Sequence, residues 1–181
     1  MIRVMKAAMT EKQPTFKQRL GYWLKQLLIL LVLVSSVAWV MDKWRSRNLE
    51  VDNFPAISGV ALGGEKIDVS TLSANEPVLV YFWGTWCPVC RSVSPSVESI
   101  SASFPVVSVA IASGSNTEIG EYMQEYGYHF SVINDADNRS ARDWSVHVTP
   151  TLMIIKEGKV VSYTTGFTSL PGIWWRMLWA S

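Results

Sequence analysis

Tyr81-Phe82-Trp83-Gly84-Thr85-Trp86-Cys87-Pro88-Val89-Cys90 holds both cysteines of a 181-residue chain, with two residues between them. The apolar run 78–83 predicts a buried strand, and the segment after Cys87 has helical spacing. The cysteines therefore fall where a strand gives way to a helix. At that helix N-terminus, unpaired backbone N–H groups and the macrodipole favour a Cys87 thiolate, which lowers its pKa below the free value of about 8.5. Cys90 lies three residues on, on the same helical face, close enough to close a disulfide. Pro88, at the second helical position, costs nothing because its missing N–H has no partner there.

Three chemistries suit such a pair. A structural disulfide gains most by closing a long loop, and a bridge across two residues gains least, so the spacing favours redox catalysis. Two thiolates at this distance also bind Cu(I) or Zn(II), but zinc wants four ligands, and His129 and His147 are the plausible soft partners left. Dithiol exchange requires no bound cofactor.

The string Trp86-Cys87-Pro88-Val89-Cys90 after an apolar strand, with Thr149-Pro150-Thr151 some sixty residues later, resembles the thioredoxin superfamily. It is most similar to the membrane-anchored bacterial branch that includes the cytochrome c maturation thioredoxins and the suppressor of copper sensitivity proteins. The resemblance covers residues 54–179. It implies a thioredoxin-like α/β fold, a central mixed sheet flanked by helices, with Cys87 and Cys90 as catalytic residues. It further implies a cis Thr149-Pro150 bond facing the cysteines, and substrate contacts from Trp86, Pro88, Val89, Thr149 and Pro150. Its partners would be proteins bearing cysteines or disulfides, and a membrane electron relay for re-reduction. Copper tolerance would be the wider setting. Two departures stand out. Tyr81 occupies the position where thioredoxin has a buried carboxylate, leaving water or another acid such as Glu98 to take the Cys90 proton; Val93 stands where the cytochrome c branch often carries glutamate. The copper-delivery relatives place three residues between their cysteines, not two.

Charge divides the chain. Residues 1–49 carry nine Lys or Arg against two acids, whereas residues 50–181 carry seven against thirteen. A mildly acidic globular part argues against nucleic-acid binding, which needs a basic face. Residues 1–19 read as a basic tail and 20–41 as an apolar run long enough to cross a bilayer if Lys25 snorkels, with Trp23, Trp39 and Trp44 near its ends. The basic residues ahead of the run favour a cytoplasmic N-terminus. Ser36-Val37-Ala38 offers the alternative of a cleaved signal peptide. Either reading places the domain outside the cytoplasm. With the resemblance, this implies a bacterial inner membrane protein with a periplasmic catalytic domain.

Residues 42–53 read as a linker and 54–181 as the folded domain. A hairpin is expected from 57–62 and 66–69 about Gly63-Gly64, then a loop or helical turn over 70–77. The central strand 78–83 and a helix 87–103, bent at Pro95, follow. Next come a strand 106–112, a helix 117–126, a short strand 131–134 and a helical turn 139–144. A hairpin of 151–155 with 159–165 precedes a last helix, 169–179, whose buried face is expected to include Trp174, Trp175 and Trp179.

Overall fold

The computed structural model describes residues 57–181 without interruption and a set of helical, exposed positions between residues 22 and 37. The chain divides into two compact units, 1–43 and 44–181. Among the described residues no helix is long and apolar enough to cross a membrane. The expected tail 1–19 and linker 42–53 lie outside the described residues, and the expected span 20–41 lies partly outside them.

In the second unit the order is β1 (Ser58–Val60), β2 (Lys66–Asp68), α1 (Val69–Leu72), β3 (Val78–Trp83), α2 (Pro88–Ser101), β4 (Val106–Ile111) and α3 (Asn116–Tyr126). It continues with β5 (Ser131–Asp135), α4 (Arg139–Asp143), β6 (Thr151–Lys156), β7 (Lys159–Thr165) and α5 (Leu170–Ala180). Five strands form one mixed sheet in the order β5-β4-β3-β6-β7, and β1 pairs with β2 in a separate ribbon. Strand β3 runs parallel to β4 and antiparallel to β6, with Phe82 opposite Thr151. That register brings the C-terminal end of β3 beside the start of β6. The turn carrying Cys87 and the Thr149-Pro150 peptide therefore share one edge of the sheet.

Every residue of β3 is buried, because helices or loops cover both sheet faces. Leu79, Tyr81 and Trp83 point into a core shared with α2, α3 and α5, while Val78, Val80 and Phe82 pack on the opposite side with Ile67, Val69 and Trp144. Full burial of a large apolar side chain stabilises by roughly 1.5–3 kcal/mol, so β3 is the rigid base on which the cysteine turn is mounted. Helix α2 follows it, burying Cys90, Val93, Ser94, Val97 and Ile100 on one face. The helix starts at Pro88, which is thus its first residue and not its second, with Cys87 as N-cap. Helix α3 begins with a Ser115/Glu118 capping box and ends at Gly127, whose φ of 67° supplies the left-handed C-cap.

Helix α5 departs from expectation. Its inner stripe is Ile173 and Met177, while Trp174 is half-buried edge-on to Phe104 with ring centroids 5.4 Å apart. Trp175 and Trp179 are 66% and 81% exposed. At about 100° per residue, positions two beyond 173 and 177 lie some 200° round the helix, so the two indoles point away from the core.

Candidate active site

Cys87 and Cys90 form a disulfide across the first turn of α2. The backbone turns from strand to helix over Gly84-Thr85-Trp86, and the Cys87 N–H donates to the Gly84 carbonyl at 3.1 Å. Gly84 has a steric reason to be glycine. A Cβ there would lie 2.6 Å from the Trp86 indole, which folds back over it and donates its Nε1–H to the Ile111 carbonyl at 3.0 Å. Thr85 N–H donates to Ser113 Oγ at 3.1 Å, and Ser113 in turn donates to the Ile111 carbonyl. The cysteine turn is thereby tied to the loop after β4.

The two sulfurs have different surroundings. Cys87 is 5% exposed, beneath the exposed Trp86 and Val89, and its Sγ accepts from the Cys90 N–H at 3.1 Å and lies 3.7 Å from the Thr149 carbonyl oxygen. A backbone N–H bond to a charged acceptor contributes about 1.5–3 kcal/mol, more than the roughly 0.3–1 kcal/mol of an exposed helix end. The Cys90 N–H, then, is the larger stabiliser of a Cys87 thiolate.

Cys90 is wholly buried. Its carbonyl accepts from Ser94 Oγ at 2.9 Å and from the Tyr81 hydroxyl at 3.3 Å, and the two hydroxyls are 3.0 Å apart. Burial pushes the Tyr81 phenol well above its ordinary value, so it stays neutral and serves as a donor. Tyr81 also stacks in line with Trp83 and edge-on to Phe130.

Glu98, considered in the sequence as a proton acceptor for Cys90, is engaged elsewhere. Its carboxylate accepts from the His129 and Phe130 backbone N–H groups and pairs with His129 Nδ1 at 2.9 Å. Eight residues along a helix is about 12 Å, and the carboxylate closes the entry to β5 instead. Arg91, next after Cys90, lies over the Tyr126 ring at 5.8 Å.

The Thr149-Pro150 bond is cis. Pro150 is buried, Thr149 half-buried, and His147 is exposed two residues upstream of Thr149. The Pro150 carbonyl accepts from Gly166 N–H at 2.8 Å, which places the loop after β7 against it. Four exposed apolar side chains stand on the segments joined here: Trp86, Val148 and Phe167 on loops and Val89 in the first turn of α2, at 57, 56, 69 and 42%. Val148, Phe167, Ser94 and Ser113 were not singled out in the sequence. The position of Ser113 after a parallel strand was a usable signal, since such loops gather at one sheet edge; nothing local marked Phe167. Among the described residues, no group of three or more His, Cys, Asp or Glu is placed to hold a metal ion.

A Cys-x-x-Cys disulfide at the N-terminus of the helix that follows the central strand of this mixed sheet defines a thioredoxin-fold thiol-disulfide oxidoreductase. Residues 51–164 match the AhpC/TSA family, and the chain belongs to it. A thioredoxin-like protein of Haemophilus influenzae is 39% identical over 120 residues, covering 66% of this chain and 72% of that protein. The thiol-disulfide oxidoreductase ResA of Bacillus subtilis is 34% identical over 57% of this chain, which spans 60% of that relative. Among solved structures, a putative thioredoxin from Neisseria meningitidis is 26% identical with a TM-score of 0.62, over 70% of this chain and 87% of the other. A putative thiol:disulfide interchange protein DsbE from Chlorobium tepidum shares the fold with a TM-score of 0.63 at 24% identity, over 72% of this chain and 96% of that one.

Proposed function

We propose that the chain is a membrane-anchored, extracytoplasmic reductant of protein disulfides, with Cys87 as attacking and Cys90 as resolving residue. The assignment of the two sulfurs is carried by their surroundings: Cys87, 5% exposed beside the exposed Trp86 and Val89, has its sulfur held by a backbone donor, whereas Cys90 is 0% exposed. Cys87 thiolate attacks one sulfur of a substrate disulfide, and the other substrate sulfur leaves as a thiolate and takes up a proton. Cys90 then loses its proton and attacks Cys87 Sγ, expelling the second substrate sulfur. Two electrons pass to the substrate, and the enzyme is left with the Cys87–Cys90 disulfide seen here. The neutral hydroxyls of Tyr81 and Ser94 hold the Cys90 carbonyl and offer no base, so the Cys90 proton leaves to water.

Substrate would lie across Trp86, Pro88 and Val89 on one side and Thr149 and Pro150 on the other. The segments 84–90, 145–150 and 165–169 contain no Lys, Arg, Asp or Glu. This favours an extended substrate segment with apolar neighbours to its cysteine. The resemblance to the membrane-anchored branch supports re-reduction by a membrane electron relay. Similarity to suppressor of copper sensitivity protein D extends the reading to copper tolerance, for which growth of a deletion strain on copper is the readout.

Direction is tested by a redox titration in glutathione buffers. The residues between the cysteines, Pro88 and Val89, carry no charge to hold a thiolate, so the expected midpoint is about −200 to −270 mV, the range of reducing or shuffling dithiols. A value near −120 mV, with reduced substrates oxidised faster than disulfides are reduced, would reverse the proposed direction.

A further inference from the structure

Helix α5 is apolar on its outer as well as its inner face. Pro171, Trp175, Leu178 and Trp179 fall at i, i+4, i+7 and i+8, and all four are exposed. Leu178 is 59% exposed, and the Trp175 and Trp179 rings lie 5.9 Å apart as a pair. Apart from Arg176, which donates to Ser162 Oγ at 2.9 Å, the helix is apolar round its circumference, and such a helix belongs in an apolar setting, yet in this unit it is the Ile173 and Met177 side that is buried.

We propose that this stripe docks on the lipid bilayer, its two indoles seated at the headgroup level. The proposal rests on the reading that residues 20–41 anchor the chain. The stripe is uncharged and rich in tryptophan, the side chain that favours the membrane–water interface, and shallow insertion of one helix face scales with its apolar area. The exposed area is roughly 400 Å², taking about 200 Å² for each aromatic side chain. Two copies face to face would bury about 800 Å², short of the roughly 1,200 Å² that a stable pair needs. A bilayer has no such threshold.

Docking has a consequence for the site. Trp174 packs on Phe104, which follows the C-terminus of α2, whereas Cys87 caps the N-terminus of that 14-residue helix. The C-terminal turns of α5 thus lie about 20 Å from the disulfide along α2. Docking through that face leaves the Cys87 end of α2 uncovered.

The test uses the full chain, labelled with 5-fluorotryptophan and reconstituted in phosphatidylcholine nanodiscs containing a paramagnetic lipid, each resonance assigned by a single Trp→Phe variant. Trp175 and Trp179 are expected to broaden strongly, while Trp83 and Trp144, both buried in the domain, stay sharp. If Trp23 and Trp39 broaden and Trp175 and Trp179 remain as sharp as Trp83, docking is overturned and the anchor stands. If Trp175 and Trp179 alone broaden, docking stands and the anchor reading fails. Sharp lines from all four overturn both. Two chains per nanodisc, reduced to one by W175S/W179S, with sharp Trp175 and Trp179 lines in the parent, would overturn lipid docking in favour of a second copy. Both indoles are exposed, so W175S/W179S is expected to keep the melting temperature of the parent.

Discussion

The rim around Cys87 and the floor beneath Cys90 are separated by one turn of helix, yet they are built on opposite principles. At the rim, backbone groups make the polar contacts to the Cys87 sulfur, and side chains supply exposed apolar surface: Trp86, Val89, Val148 and Phe167. On the floor, side chains do the polar work: Tyr81 and Ser94 converge on one carbonyl inside a wholly buried core. Backbone donors are tied to the position of the chain and remain if a side chain changes, so the rim can vary its substrate contacts without losing its thiolate stabilisation. The floor has no such freedom, because each buried hydroxyl needs its partner.

The sharpest way to break this division is to exchange the roles of the sulfurs. Cys87→Ser is expected to abolish insulin-disulfide reduction driven by dithiothreitol. Cys90→Ser should instead accumulate a mixed disulfide between Cys87 and substrate, visible by mass spectrometry. Adducts on Cys90 in a Cys87→Ser protein, formed at the rate of the reciprocal pair, would show that burial does not decide which sulfur is attacked.

The rim is probed next by Phe167→Ser. Losing an apolar contact worth about 1–2 kcal/mol predicts a five- to thirty-fold rise in KM for a protein disulfide with little change in kcat. A fall in kcat at constant KM would place Phe167 outside the binding surface. Small, charged thiols are expected to be unaffected by the substitution.

On the floor, Tyr81→Phe removes one hydroxyl and leaves Ser94 to hold the carbonyl, for a cost of about 1 kcal/mol in unfolding free energy. The pH dependence has a definite sign. Burial raises the folded-state phenol above its ordinary value of 10.0, so above pH 10 the unfolded chain ionises first and binds fewer protons than the native one. Stability contributed by the neutral phenol is complete below that pH and is lost as pH rises through the raised value. Tyr81→Phe should therefore flatten the alkaline limb of a denaturation series. An unchanged alkaline limb would mean that another group dominates it.

The smallest effect is expected at Glu98, remote from both sulfurs. Glu98→Gln keeps an acceptor for the His129 and Phe130 N–H groups but loses its charge, and should cost under about 1 kcal/mol with unchanged disulfide reduction at every pH. A shifted pH–rate profile would return Glu98 to the candidates for the Cys90 proton.

Much of this protein is legible in one dimension. The apolar run 78–83 followed by Cys87 and Cys90 is enough to place the disulfide at a strand-to-helix turn, because burial on both faces demands continuous apolar residues and a helix end demands a cap. The alternation of strands and helices likewise determines a mixed sheet with parallel crossovers. Tertiary structure decided what spacing leaves open. The expected span at 20–41 is a statement about length and apolarity that the described residues do not extend. Which face of α5 is inner depends on whether Ile173 and Met177 or Trp175 and Trp179 meet α2, and both stripes are apolar, so hydrophobic pattern alone cannot choose. Glu98 looked free for chemistry until β5 brought His129 to it across 31 residues. Phe167 joins the site only because Gly166 bonds to Pro150. In each case the deciding contact is between segments far apart in sequence, and such contacts are set by how the elements pack, which local periodicity does not encode.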